Sequence, residues 1–123
     1  MSCKELTAII IPDSVRYLGT SAFLSCEKLE SVILSNNLRS IPETAFYDCP
    51  SIKTISIPSS VTAIGAYAFQ YCSSLEQIDI SGSIEYAGNN VIPDSVDRVT
   101  GYGNDMMEHY CQEHGIQYTI KGR

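Results

Sequence analysis

The stretch "IPSSVTAIGAYAFQYCSSLEQIDI", residues 57 to 80, decides the fold, because it holds one complete unit of a repeat. "LEQIDI" ends in alternation, the period of a short strand with Ile78 and Ile80 on one side and Gln77 and Asp79 on the other. Pro58, after the alternating "ISI", ends one strand and turns the chain. "VTAIG" is a second short inward-facing segment, and Gly65 permits the next bend. "AFQYC" returns to the start of the unit as a turn or a short 3₁₀ piece.

Outward from this stretch the same unit recurs, with "AF" at positions 22, 45 and 68 and hence a period of 23. Phe23, Phe46 and Phe69 are the only three phenylalanines and occupy one column. Cys3, Cys26, Cys49 and Cys72 form a second column, and Leu6, Leu29, Ile52 and Leu75 a third. Ile9, Val32, Ile55 and Ile78 follow, then Ile11, Leu34, Ile57 and Ile80. Val15, Leu38, Val61 and Ile84 continue the match, as do Leu18, Ile41 and Ile64, with Ala87 weaker in the last slot. Gly19, Gly65 and Gly88 share a column in which Pro42 takes the remaining place. Each unit has about seven inward apolar positions and cannot bury them alone. Stacking coils at ~4.8 Å puts like on like and makes one continuous core, which is a solenoid.

The pattern "C-x-x-L-x-x-I-x-I-P-x-S-V-x-x-I-G-x-x-A-F" resembles the BspA-type (Treponema-type) leucine-rich repeat, over residues 3 to about 92. The resemblance implies an α/β repeat fold: a right-handed solenoid with a parallel β-sheet on its concave face and short turns or 3₁₀ pieces on the other side. It also implies a cell-surface or secreted protein that binds protein partners without catalysis.

After residue 88 the register fails. Val91 and Ile92 sit in the Ala-Phe slots and Ser95 in the cysteine slot. Val96 and Val99 keep the strand spacing, so a shortened last coil is expected. In "GYGNDMMEHYCQEHGIQYTI", Asn104 or Asp105 can cap a helix, Met107, Tyr110 and Cys111 make an apolar stripe, and Gly115 ends it. "IQYTI" alternates as a terminal strand. This "Y-x-x-x-x-G-I-x-Y" element resembles the family's C-terminal one and would shield the last coil as a helix and strand. The expectation is a single domain over 1–123, with repeats over about 3–92 and a cap over about 93–120, forming the C-terminal part of a longer solenoid. "MSCKEL" resembles no cap, so self-association through the first coil is a further expectation. It also lacks the apolar core of a signal peptide.

Size and charge narrow the function classes. A chain of 123 residues, 44% hydrophobic and 18% charged, is one globular domain. A net charge of −6 argues against nucleic acid or an anionic membrane as partner. No apolar run approaches the ~20 residues of a spanning helix.

Little in the chain points to chemistry. The column cysteines read as a ladder of buried, inert thiols. Their Cα atoms fall within bridging range, but parallel Cβ vectors are poor geometry for a disulfide. Cys111 reads the same way, on the helix stripe. His109, Cys111, Glu113 and His114 crowd one helix, but no second ligand cluster exists, so no metal is expected. The two histidines both lie there, no G-x-S-x-G occurs, and "GYG" lacks the lysine of a phosphate loop, so no cofactor or catalytic set is assigned. Tyr17, Tyr47, Tyr67, Tyr71 and Tyr86 are spread over the turn side, which argues against one aromatic platform.

Binding is therefore expected on the outward strand residues: Ala8, Ile10 and Pro12; Ser31, Ile33 and Ser35; Thr54, Ser56 and Pro58; Gln77, Asp79 and Ser81. Of these, Ala8, Ile10, Ser31, Ile33, Thr54, Ser56, Gln77 and Asp79 form the candidate partner site. The middle row runs Ile10, Ile33, Ser56, Asp79, apolar at one end and acidic at the other. A protein-binding module is the first function class, and a scaffold that presents or oligomerises another domain is the second.

Overall fold

The fold was obtained as a computed structural model, in which residues 3–103 and 105–121 are described. The chain winds through about five coils. Four begin at the column cysteines, and the fifth begins at Ser95, whose hydroxyl donates to the Cys72 carbonyl at 2.9 Å. The main strands are β1 (Ala8–Ile10), β2 (Ser31–Ile33), β4 (Thr54–Ile57), β6 (Gln77–Ile80), β8 (Arg98–Gly101) and β9 (Gln117–Ile120). A second, narrower layer holds β3 (Ser40–Ile41), β5 (Ala63–Ile64) and β7 (Tyr86–Ala87). All pairings are parallel, as coils wound in one sense require. Ala8 pairs with Ser31 and Thr54 with Gln77, each partner one full repeat further along the chain. Gln77 pairs with Arg98, less than a full repeat on, so the last coil is shorter.

The core is a set of ladders. Phe23, Phe46 and Phe69 stack with centroids 5.3 and 5.7 Å apart and planes within 9° of parallel. Ile55, Ile57, Ile78 and Ile80 point inward from alternating strand positions and are buried. Gly65 and Gly88 have no substitute, because a Cβ there would run into the backbone of Glu43 and of Ala66.

The turn side is not a run of 3₁₀ helix. Short i+3→i turns are interrupted by left-handed residues at Ser21, Ser25, Thr44, Asp48, Tyr67, Tyr71 and Asn90. The alternation aims every second N–H along the solenoid axis. Ser21, Phe23 and Ser25 donate to the carbonyls of Glu43, Ala45 and Tyr47, and Thr44, Phe46 and Asp48 to those of Ala66, Ala68 and Gln70, at 2.7–3.2 Å. The turns thus form their own inter-coil ladder, which satisfies backbone groups that would otherwise be orphaned.

The C-terminal end is closed by α1 (Met106–His114) and β9. Asp105 is the N-cap. One of its carboxylate oxygens accepts from the Glu108 N–H and the other from the Ile84 N–H, tying the helix to the fourth coil. Asn104, the other cap candidate, lies outside the described residues. Met107 and Cys111 are buried beneath the helix, and Gly115 ends it at φ 70°.

Two expectations are corrected. Cys3 and Cys26 form a disulfide, with Cα atoms 5.1 Å apart. Among the described residues, no coil packs on the outer side of Cys3, so its Cβ can tilt toward its partner. Cys49 and Cys72 are clamped between coils. Their thiols donate to the carbonyls of Phe23 and Phe46 at 3.1 Å, and burial raises them to about 11 and about 12. The second correction is Ser35, which does not face outward but is fully buried. The alternation ends at Leu34, and the Ser35 hydroxyl turns in, donating to the Val15 carbonyl at 2.6 Å and accepting from the Asn37 N–H at 3.1 Å.

Candidate functional site

The outward strand residues make two rows across the coils. One row is Ala8, Ser31, Thr54 and Gln77, continued by Arg98. The other is Ile10, Ile33, Ser56 and Asp79, continued by Thr100. Ile10 is 71% exposed and Ile33, its direct cross-strand neighbour, 56%. Pro12 is exposed, while Pro58 and Ser81 are half-buried.

The strand layer is divided between these pairs. β1 pairs with β2, and β4, β6, β8 and β9 form a separate sheet. Pro58 supplies a physical reason. One coil later, the N–H of Ser81 donates to the Ile57 carbonyl at 3.0 Å. At the same place between the second and third coils, Pro58 has no N–H to offer Leu34. A cavity of about 360 Å³ sits at the division, lined by Ile33, Leu34, Asn36, Ser56, Pro58 and Ser81 among others. Ile33, of the apolar pair Ile10–Ile33, thus borders a notch in the sheet.

The acidic end of the row is already partnered. Lys121 reaches the Asp79 carboxylate at 2.6 Å, and Thr100 donates to the same oxygen. Burial raises the Asp79 pKa, but the bonds from Lys121 and Thr100 outweigh it and hold the carboxyl below its ordinary value. The Lys121 ammonium also lies 5.3 Å from the Tyr102 ring centre. This end is a closed ion-pair cluster, leaving the isoleucines as the free part of the row. Lys121 stands outside the repeat columns, so no periodicity could have pointed to it.

The structure also gathers side chains that sequence reasoning kept apart. The rings of Tyr47 and Tyr71 meet edge to face with centroids 5.3 Å apart. The signal was present: Tyr71 stands one place beyond a full repeat from Tyr47, which makes them diagonal neighbours on adjacent coils.

The cap helix does not assemble a metal centre. His109 pairs with Glu113 at 2.9 Å, and the His114 ring stacks on Tyr110. Burial raises the Cys111 thiol to about 11. Among the described residues, no group of three or more histidine, cysteine or acidic side chains could hold a metal ion.

Comparison with known proteins agrees with this architecture. The sequence profile of the BspA type leucine rich repeat region matches residues 1–98, in 6 copies. The chain belongs to the BspA-type leucine-rich repeat family. A leucine-rich repeat protein of Treponema pallidum is 33% identical, with a TM-score of 0.76 over 80% of this chain and 47% of that one. A leucine-rich cell surface protein of Faecalibacterium prausnitzii is 28% identical, with a TM-score of 0.62 over 96% of this chain and 27% of that one. The pneumococcal vaccine antigen PcpA shares the fold at 17% identity, with a TM-score of 0.72 over 96% of this chain and 36% of that one. The chain therefore spans less than half the length of each of these structures. No curated protein matches it. Among the described residues, no helix is long and apolar enough to cross a membrane.

Proposed function

We propose that this leucine-rich repeat solenoid is a non-enzymatic module that binds a protein partner on its outward strand face, in a cell-surface or secreted setting. The contact residues are Ala8, Ile10, Ser31, Ile33, Thr54, Ser56 and Gln77, with Ile10 and Ile33 as the apolar centre and Asp79, already held by Lys121, at the acidic margin. The observation that carries this reading is their exposure beside the notch at Pro58, since solenoids commonly engage partners across such faces. The surface setting draws on the likeness to the Faecalibacterium cell surface protein and on the Cys3–Cys26 bridge, which suits an oxidising compartment. A pull-down with the domain, paired with the double variant Ile10→Asp and Ile33→Asp, tests the face. Loss of the captured partner with an unchanged thermal transition is expected. Retained capture would move the site elsewhere.

A second reading, a scaffold that self-associates, is favoured by the first coil. Leu6, Ile9, Val15, Leu18 and Phe23 are only half-buried, unlike their counterparts in the second and third coils. Light scattering that shows a concentration-dependent rise in mass would support it, and a strict monomer would count against it.

A further inference from the structure

The turn side carries a surface that neither reading above uses. Left-handed backbone disfavours bulky residues, costing about 1–2 kcal/mol at each position. The first, second and fourth coils fill the first left-handed column with Ser21, Thr44 and Asn90, and the first two fill the other with Ser25 and Asp48. The third coil alone places tyrosine in both, at Tyr67 (φ 57°) and Tyr71 (φ 62°). Burial does not offset the strain, because Tyr67 is 38% exposed and Tyr71 59%. With Tyr47 edge-on to Tyr71 and Leu24 exposed in the same column as Tyr47, they make an aromatic and apolar ridge across three coils.

The ridge is acidic and has no basic residue. Across the turn segments 20–26, 43–49, 66–72 and 89–95 the charged residues are Glu43, Asp48 and Asp94. Neither Asp48 nor Asp94 forms an ion pair among the described residues. Beside Tyr71 lies a cavity of about 200 Å³ walled by Gln70, Pro93, Asp94 and Ser95. A tyrosine ring and a carboxylate on one small cavity are the two groups that hold a guanidinium or ammonium: one by its ring face, one by charge.

We infer that the Tyr47–Tyr67–Tyr71 ridge docks an arginine- or lysine-bearing segment of a partner protein, with one cationic side chain seated between Tyr71 and Asp94. Charge complementarity selects the occupant, and the strained tyrosines supply the rigid aromatic contacts typical of interface hot spots. This inference keeps the premise of a protein partner and adds a surface separate from the strand face.

The test uses fluorescence anisotropy with a labelled Gly-Arg repeat peptide. Tyr67→Asn with Tyr71→Asn leaves the net charge unchanged and suits the left-handed backbone, so the thermal transition should hold or rise. Binding should weaken at least ~tenfold. Asp94→Asn should weaken it more than Glu30→Gln, which removes the same charge from the strand side. Ile10→Ser with Ile33→Ser should leave it intact. Equal binding by the tyrosine variant would show attraction by net charge alone and overturn the inference. So would a preference for a neutral oligosaccharide over the peptide. Peptide binding lost only in the isoleucine variant would reject the ridge while sparing the strand face.

Discussion

The first and third coils carry apolar residues in the same core columns and bury them differently. Leu6, Ile9, Val15, Leu18 and Phe23 are half-buried, whereas Ile52, Ile55, Val61, Ile64 and Phe69 are almost wholly enclosed. Their neighbours differ: among the described residues the third coil is covered on both faces and the first on one. Burial in this fold is a property of the stack, and the contribution of a side chain depends on its coil number. The largest test of that contrast is in the phenylalanine ladder. Phe46, stacked on both sides, should lose about 3–5 kcal/mol as Phe46→Ala. Phe23→Ala should lose roughly half as much, because it leaves a smaller, partly solvated cavity. Urea denaturation of both variants measures this. Equal losses would mean that the end coil is covered in solution.

The second test concerns what replaces packing in the first coil. The Cys3–Cys26 bridge closes a loop with a sequence separation of 23, worth about 3 kcal/mol against the unfolded chain. Cys26→Ser should therefore lower stability by about that amount. Proteolysis should then begin in the first coil, while the later coils stay protected. Cleavage spread evenly over the chain would argue that the coils do not differ in local stability.

The contrast also marks what the sequence made legible. The repeat columns locate Phe46, Cys49, Ile55 and Ile57 in the core, because identical coils repeat one environment. They also identify Ile10, Ile33 and Ser56 as outward, by strand alternation. They fail where a residue leaves the average environment. Cys3 and Cys26 are bridged, although their column predicts unbridged thiols. Ser35 is buried because its hydroxyl has a carbonyl to reach. Tyr47 and Tyr71 meet because contact between coils runs diagonally as well as along columns. Asp79 is closed off by Lys121, a residue outside the repeat. Periodicity specifies what the coils share, and the candidate surfaces lie mostly where they differ.

The free thiols separate middle from end by pH. Burial raises Cys49, Cys72 and Cys111 from 9.0 to about 11, about 12 and about 11. Their folded pKa values lie above the unfolded one, so the folded chain holds protons that the unfolded chain releases. Their contribution is fully present below pH 9 and is lost as pH rises toward 11–12. Each should cost on the order of 1 kcal/mol by about pH 10. The urea midpoint should fall between pH 8 and 10, and Cys49→Ala with Cys72→Ala should flatten that fall. An unchanged slope would place the titration in other groups.

The smallest expected effect lies at the opposite end from the disulfide. Lys121 and Asp79 tie the chain after β9 back to the fourth coil, but both side chains are partly exposed, 24% and 34%. Solvent screens such a pair to about 1 kcal/mol or less. Lys121→Met should therefore move the urea midpoint only slightly at neutral pH. The Asp79 carboxyl is held below its ordinary 3.8, so its contribution is present above that pH and disappears as pH falls through the lower folded value. The variant and the parent should converge there. A difference that persisted in acid would assign the loss to the contact of the Lys121 ammonium with the Tyr102 ring, because that contact does not depend on the Asp79 proton.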